Sequence, residues 1–192
     1  ARNYEIGAKA NLLGNRLQLT AALFRNERSN FRVPSNDPTN PTLQVVDGRA
    51  RVDGIALGAA GNLSKRWSVF ANYTYLDGTV RQSVSNYCLA NPGGGTCTNS
   101  AALPDPQAGD RLIQTPKHSG SLFTTYTLPF GLQIGYGLTY QGSFATSQRN
   151  MAQRSQYFVD DYLIHRAFVS YDFGNGLVAQ LNVSNLTNED YY

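Results

Sequence analysis

The sequence predicts an all-β fold, an antiparallel transmembrane β-barrel with about eight strands. One observation is the strict alternation of apolar and small polar side chains, which is clearest in Leu132–Gln141. Successive strand residues point to opposite faces, so one face of this segment is apolar and the other carries only Gln, Gly and Thr. A second observation is that very short turns alternate with long loops, a pattern typical of outer-membrane barrels. In addition, only 15% of the residues are charged, against about 25% in soluble domains.

The first half of the chain is expected to form four strands, at residues 4–12, 16–33, 43–63 and 67–75. Gly14 and Asn15 tolerate the positive φ that a tight hairpin requires, and residues 64–66 form the next short turn. Prolines in the intervening loop 34–41 prevent ladder pairing there. We expect an interruption of the third strand near Asp47 and Gly48.

The second half begins with a long polar loop at residues 81–115, followed by strands at 117–128, 132–141, 158–173 and 177–186. Short turns join the first and the last pair of these strands, and loop 143–156 joins the middle pair. All short turns therefore fall at one rim, which in outer-membrane barrels is periplasmic, and the long loops fall at the extracellular rim. The strand at 158–173 is longer than an apolar band of about 25 Å requires, so its outer end should project beyond the membrane.

The two cysteines, Cys88 and Cys97, lie close together in a polar stretch rich in Gly and Pro. A disulfide is the favoured interpretation, because a metal site lacks nearby His or further Cys ligands. Closing so short a loop would stabilise it by about 2–3 kcal/mol.

No catalytic constellation is found in the sequence. Asp160 and Asp161 face opposite ways on a strand, and His118 and His165 are separate wall or rim residues. The net charge of +3 comes without a basic run, so nucleic acid is not an expected partner. Neither an enzyme nor a resident metal or cofactor is expected.

The best candidate for ligand binding is the loop at residues 145–156. It holds Arg149 and Arg154 with several glutamines and no acid, and arginine can form bidentate hydrogen bonds with anions and stack on aromatic rings. The loop therefore suits an anionic, aromatic ligand. A solvated basic loop, or one that meets lipopolysaccharide phosphates, remains an equal alternative.

Six segments together resemble the barrel of TonB-dependent siderophore receptors, and among these the catecholate-type ferric siderophore receptors. Their order and spacing along nearly the whole chain carry the resemblance: RNYEIGAK (2–9), LQLTAALFR (17–25), DGRARVDG (47–54), WSVFANYTYLD (67–77), TPKHS (115–119) and LNVSNLTNEDYY (181–192).

The resemblance implies a barrel of about 22 strands around a plug domain, located in the bacterial outer membrane. Residues 1–192 would be the C-terminal portion of this barrel, with the plug domain and the last strand absent from the chain. The transported ligand would be a ferric siderophore, and TonB would act through the missing N-terminal part. Outer-membrane lipid and lipopolysaccharide would surround the barrel. A small self-contained eight-stranded barrel with a structural or adhesion role is the main alternative, and an outer-membrane hydrolase is a weaker one.

Ferric catecholates are anionic and present flat rings, so extracellular Arg and Tyr side chains are the groups expected to hold them. The resemblance supplies no strict side-chain signature for this site, so the residues are candidates only. The best placed are Arg149 and Arg154, followed by Arg81, Tyr87, Arg111 and Gln148.

Overall fold

The computed structural model describes residues 1–40, 42–150 and 153–191. Its regular structure is almost entirely β, with one helix of five residues. The elements are β1 (Arg2–Leu12), β2 (Leu17–Pro34), β3 (Gln44–Asn62), β4 (Trp67–Gln82), α1 (Asn86–Ala90), β5 (His118–Thr127), β6 (Leu132–Gln141), β7 (Phe144–Ala145), β8 (Phe158–Val159), β9 (Tyr162–Asp172) and β10 (Val178–Ser184). Pro41, Met151 and Ala152, which belong to predicted loops, and Tyr192 of the last family segment lie outside the described residues. Within the described ranges, no helix is long and apolar enough to cross a membrane.

Eight strands form one antiparallel sheet in the order β1-β2-β3-β4-β5-β6-β9-β10, and β7 and β8 pair separately. Each strand of the large sheet pairs with the strands that precede and follow it, as the predicted alternation of turns and loops requires. β1 and β10 lie at opposite edges, and no pairing between them is found among the described residues. The eight strands therefore form an open sheet, which does not support the small closed barrel.

The sheet has an apolar face that is widely exposed. The register aligns Ile6, Leu23 and Ile55 in one row on this face, and Ile6 is 72% exposed. Exposed apolar surface on this scale requires a partner, and alternation of this kind is how a barrel meets lipid. The residues of this apolar face include Ile6, Leu12, Leu19, Leu23, Ile55, Leu57, Trp67, Val69, Leu122, Ile134, Tyr136, Leu138, Val169 and Leu181.

The opposite, polar face carries mostly small and neutral side chains. One register row crosses it through Lys9, Thr20, Gly58, Asn72 and Ser121, and the Asn72 amide donates to Ser121 Oγ at 2.8 Å. Cross-strand hydrogen bonds of this kind and small neutral side chains are typical of the wall of a wet lumen.

Both histidines are wall residues on the apolar face, as the sequence indicates. The Tyr73 hydroxyl lies 2.8 Å from His118 Nδ1, and the Tyr136 hydroxyl lies 2.6 Å from His165 Nδ1. Each pair joins neighbouring strands, so the polar atoms satisfy one another where water is scarce.

The tight turns all lie at one rim, and the long loops lie at the other. At the first turn Leu13, Gly14 and Asn15 have φ of 54°, 65° and 65°, and Arg16 Nε donates to the Leu13 carbonyl at 2.8 Å. Gly and Asn adopt this left-handed conformation at little cost, which confirms the predicted hairpin.

One strand prediction is confirmed only in part, and a second is wrong. β3 runs through Asp47 and Gly48 as one strand, but its register with β2 shifts there. β2 carries one extra residue between Arg28 and Phe31, and β3 carries one between Val45 and Gly48. There the Phe31 ring covers Gly48, where a Cβ would come within 2.4 Å of it. The predicted strand at 158–173 is split at Asp160 and Asp161, because its first two residues pair with β7 instead. The length that projects beyond the membrane band is carried by β2, β3 and β4, with 18, 19 and 16 residues.

Candidate functional site

The long loop after β4 folds back along the outer end of that strand at residues 107–112, which we call the folded-back segment. Leu112 N donates to the Gly78 carbonyl at 3.0 Å, and Val80 N donates to the Asp110 carbonyl at 2.9 Å. The sheet therefore continues above the point where β5 begins, although the sequence of this segment predicts only a polar loop. This folded-back segment forms one wall of the loop rim.

The predicted disulfide is present between Cys88 and Cys97. Cys88 lies in α1, and its backbone N–H donates to the capping oxygen of Ser85 at 3.2 Å. Ser85 Oγ donates in turn to the Ser35 carbonyl at 2.6 Å, and Asn99 Nδ2 donates to the Cys88 carbonyl at 2.8 Å. The disulfide loop is thus tied to the loop between β2 and β3 at the same rim.

Arg149 joins the loop between β7 and β8 to this folded-back segment. Its guanidinium forms an ion pair with the carboxylate of Asp110. Asp110 is only 3% exposed. The Arg149 backbone N–H donates to Asp110 Oδ2 at 2.9 Å, and Nη2 donates to the Ala108 carbonyl at 3.2 Å. Gln107 Nε2 donates to the Arg149 carbonyl at 2.8 Å. Arg149 therefore holds two loops together.

The backbone of Arg111 is held by two glutamines of the same loop. Gln156 Oε1 accepts from Arg111 N at 2.9 Å, while Gln148 and Gln156 donate to its carbonyl at 3.1 and 2.8 Å. The Arg111 guanidinium lies over the Phe158 ring, 5.4 Å from its centroid. Arg111 forms an isolated antiparallel β-bridge with Thr79, so the two side chains lie on the same side of the sheet. Thr79 lies on the side that continues the apolar face, and the Arg111 side chain therefore does so too.

A cleft of about 540 Å³ opens on the polar face between the outer ends of β2–β4 and these loops. We call it the mouth cleft. Arg28 is exposed there, and no ion pair links it to any other described residue. Phe31 adds an aromatic ring and several amides add hydrogen-bonding groups. Residues of the lining include Asn26, Arg28, Phe31, Val52, Val80, Gln107, Leu112 and Gln148.

The mouth cleft combines the Arg28 guanidinium and the Glu27 carboxylate with amides and apolar surface. Arginine forms bidentate charge-assisted hydrogen bonds with anions, and the apolar wall of Phe31, Val52 and Leu112 can accept a flat ring. The arrangement suits recognition of an anionic, partly aromatic ligand. Among the described residues, no three His, Cys, Asp or Glu side chains gather into a group that could hold a metal ion.

The six predicted ligand residues are not brought together. Gln148 lines the mouth cleft, and Arg149 lies beside it in the ion pair with Asp110. Arg154 is exposed, and no hydrogen bond or ion pair joins its side chain to the rest of the described chain. Tyr87 lies on α1 beside the disulfide. Arg81 and Arg111 lie on the side that continues the apolar face.

Sequence reasoning predicted only Gln148 among the residues that line the mouth cleft. Asn26, Arg28 and Phe31 belong to β2, and Gln107 belongs to the folded-back segment. The alternation of β2 beyond Leu23 could have revealed Asn26 and Arg28, because even-numbered residues of this strand point to the polar face. No sequence signal places Gln107.

Residues 1–186 match the protein family described as TonB dependent receptor-like, beta-barrel. The chain belongs to this family. Its members are outer-membrane β-barrels of Gram-negative bacteria, and in such barrels an apolar face of this kind is the one that meets lipid while the polar face lines the lumen. The long loops, and the mouth cleft beneath them, then lie at the extracellular rim.

Similar proteins include the probable TonB-dependent siderophore receptor PiuA of Acinetobacter baumannii, which is 31% identical over all of this chain and 23% of its own length. The catecholate siderophore receptor Fiu of Escherichia coli K12 is also 31% identical, over 22% of its length. The crystal structure of PiuA superimposes with a TM-score of 0.78 at 30% identity, covering 97% of this chain and 24% of that one. The chain thus spans about a quarter of the length of the relatives it matches.

Proposed function

We propose that the protein containing this chain is an outer-membrane receptor that binds and imports ferric siderophores, among which the anionic, aromatic catecholate type fits best. The mouth cleft carries this proposal, because it presents the Arg28 guanidinium, which forms no ion pair among the described residues, to the extracellular end of the lumen. Similarity to PiuA and Fiu, which are described as siderophore receptors, supports it. The siderophore is cargo and not a cofactor.

The proposed ligand contacts follow from the position of each side chain. Arg28 and Gln148 line the mouth cleft directly, and the exposed Arg154 can meet the ligand on its way in. Arg149 acts indirectly, because its ion pair with Asp110 holds the loop in place. Arg81, Tyr87 and Arg111 are peripheral to this cleft.

The remaining partners belong to the complete receptor. We infer that TonB supplies the energy through a segment N-terminal to this barrel portion, and that a plug domain fills the lumen. We also infer that outer-membrane lipid and lipopolysaccharide contact the apolar face and the rim above it, and the exposed aliphatic band supports the contact with lipid.

Iron uptake by whole cells tests the proposal. The complete receptor is expressed in a strain without its own siderophore receptors, and radioactive iron is supplied as a ferric catecholate or as a ferric hydroxamate. We expect uptake from the catecholate that is lost when TonB is deleted. A correctly inserted receptor that imports iron from neither complex would contradict the proposed function.

A further inference from the structure

Phe31 lies on the polar face of the sheet, although its position in β2 predicts the opposite face. Arg28 pairs with Ala50 of β3, and Phe31 pairs with Gly48. These two partners are two residues apart and so share a face, whereas Arg28 and Phe31 are three residues apart. The extra residue in β2 therefore turns the Phe31 side chain to the face that carries Arg28, where both residues line the mouth cleft.

The register shift is fixed by the loops that lie above it. Asp47 belongs to the stretch of β3 that carries the second extra residue, and its Oδ2 accepts a hydrogen bond of 2.8 Å from the Asn86 backbone. Just beyond the end of β2, the Ser35 carbonyl accepts from Ser85 Oγ at 2.6 Å. Both strands are thus tied to the disulfide loop at their outer ends. A bulge that is held in this way is a built feature, and bulges beside functional sites re-aim a side chain.

Gly48 gives the Phe31 ring a flat surface to lie on. A Cβ on Gly48 would come within 2.4 Å of two carbons of the ring, so the ring lies closer to the backbone of β3 than any side chain at this position would permit. Phe31 is nevertheless only half-buried, because the ring also lines the mouth cleft. Ring surface that opens into a cleft is suited to stacking against another flat ring.

The Phe31 ring and the Arg28 guanidinium are spaced as a catecholate would require. Their partners in β3 are two residues apart, which is about 7 Å along the strand. A catecholate presents a flat ring with its oxygen atoms along one edge. We propose that Phe31 is a specificity-determining residue, whose ring stacks on an aromatic ring of the ferric chelate while Arg28 binds the oxygen atoms at the edge of that ring. This inference rests on the proposed function and adds the group that selects aromatic ligands among anionic ones.

The two side chains contribute to recognition in different ways. A guanidinium attracts any anion, so Arg28 alone does not distinguish a catecholate from a carboxylate chelate of the same charge. Stacking requires a flat ring on both partners. Phe24 offers an internal comparison, because it lies on the same face of β2 four residues before Arg28 and also covers a glycine, Gly54, whose Cβ would come within 2.2 Å of the ring. Phe24 lines a cleft lower on the sheet.

Binding of two ferric chelates to the purified complete receptor tests the proposal. One chelate is a catecholate, and the other is a carboxylate chelate of the same charge that contains no ring. We expect F31L to weaken binding of the catecholate about three- to tenfold, whereas binding of the ring-free chelate changes less than about twofold. F31Y keeps a flat ring and should retain the affinity for the catecholate. The matched control F24L should leave both affinities within about twofold of the unchanged receptor.

A second variant displaces the ring without changing it. G48A places a methyl group where the ring lies, so it should weaken binding of the catecholate as F31L does. Hydrogen exchange of residues 83–110 is followed in both variants. We expect it to stay at the rate of the unchanged receptor in F31L, because the loops above the bulge are held by their own hydrogen bonds.

Equal affinity of F31L and the unchanged receptor for the catecholate would overturn the proposal. An equal loss of affinity for both chelates, or a loss accompanied by faster exchange of residues 83–110, would also overturn it, because the ring would then serve only to support the loops. The proposed function fails in a different way. An unchanged receptor that binds neither ferric chelate would contradict the proposed function and, with it, the role of Phe31.

Discussion

The guanidinium of Arg149 forms an ion pair with the carboxylate of Asp110, a residue 39 positions earlier in the chain that is almost completely buried. The contact joins the loop between β7 and β8 to the segment that folds back on β4. It also sets the outer boundary of the mouth cleft, since Gln107 and Gln148 flank the two partners. A buried carboxylate requires such a partner, because an unpaired charge is costly away from water.

Removing Arg149 should therefore loosen both loops. Breaking a buried ion pair costs about 3–5 kcal/mol, and we expect about 1–3 kcal/mol here because the Arg149 side chain is 36% exposed and water can reach it. Hydrogen exchange of residues 143–157 in R149Q should be markedly faster than in the unchanged receptor. The double variant D110N/R149Q leaves no buried charge and should recover part of the protection. Equal exchange in all three proteins would contradict this account of the ion pair.

The disulfide between Cys88 and Cys97 should stabilise the rim locally. In the chain-entropy picture so short a loop contributes about 2–3 kcal/mol, and the hydrogen bonds of Ser85 and Asn99 surround it. The variant C88S/C97S should insert normally and become sensitive to protease within residues 86–99. Thiol titration of the denatured, unreduced receptor should find no free thiol, and two free thiols would reject the oxidised state.

The position of the two rims predicts the outcome of labelling on whole cells. Single cysteines are introduced in a background where the native pair is replaced. Positions 36 and 154 should react with an impermeant reagent, whereas positions 15, 65 and 175 in the short turns should not. Reaction of both sets from outside would contradict the orientation.

Gly135 should tolerate no side chain, because the Phe168 ring covers it. An added Cβ would lie 1.9 Å from this ring, which stacks on Phe123 with centroids 5.9 Å apart. We expect G135A to lower the free energy of unfolding by about 1–3 kcal/mol, as overpacking does. The matched variant G7A, whose Cβ would lie no closer than 3.2 Å to a neighbour, should cost less. The two variants are heated in steps before electrophoresis, and the temperature at which the band of the folded protein disappears is compared. The same temperature for both variants would contradict the argument.

The sheet was predictable from sequence because the periodicity of two and the turn chemistry agree along most of the chain. Leu132–Gln141 appears with the bounds that its alternation predicts, the turn at Gly14 and Asn15 has the positive φ expected, and the predicted tight turn at residues 174–176 is present between β9 and β10. The split between β8 and β9 was not predictable, since Phe158 and Val159 have strand-forming side chains whichever partner they choose. Pairing with β7 is decided by contacts between loops, which leave no local signal.

The candidate site was only partly predictable for a related reason. Gln148 was predicted and lines the mouth cleft. For the other candidates, the sequence shows which side chains are charged but not which way they point. Arg149 carries the guanidinium expected of a ligand contact, but that group is engaged in the ion pair with Asp110. Arg28 lies in a strand, where its alternation with Asn26 places it on the polar face although no loop motif marks it.

The most direct test of the central claim is the affinity of the purified complete receptor for a ferric catecholate, measured by quenching of intrinsic fluorescence. Each charge-assisted hydrogen bond to the ligand contributes about 1.5–3 kcal/mol, and about 1.4 kcal/mol corresponds to a factor of ten. We expect R28Q/R154Q to bind at least about tenfold more weakly than the unchanged receptor, whereas R66Q at the opposite rim binds equally well. Unchanged affinity in a correctly folded R28Q/R154Q receptor would contradict the claim that the mouth cleft captures the siderophore.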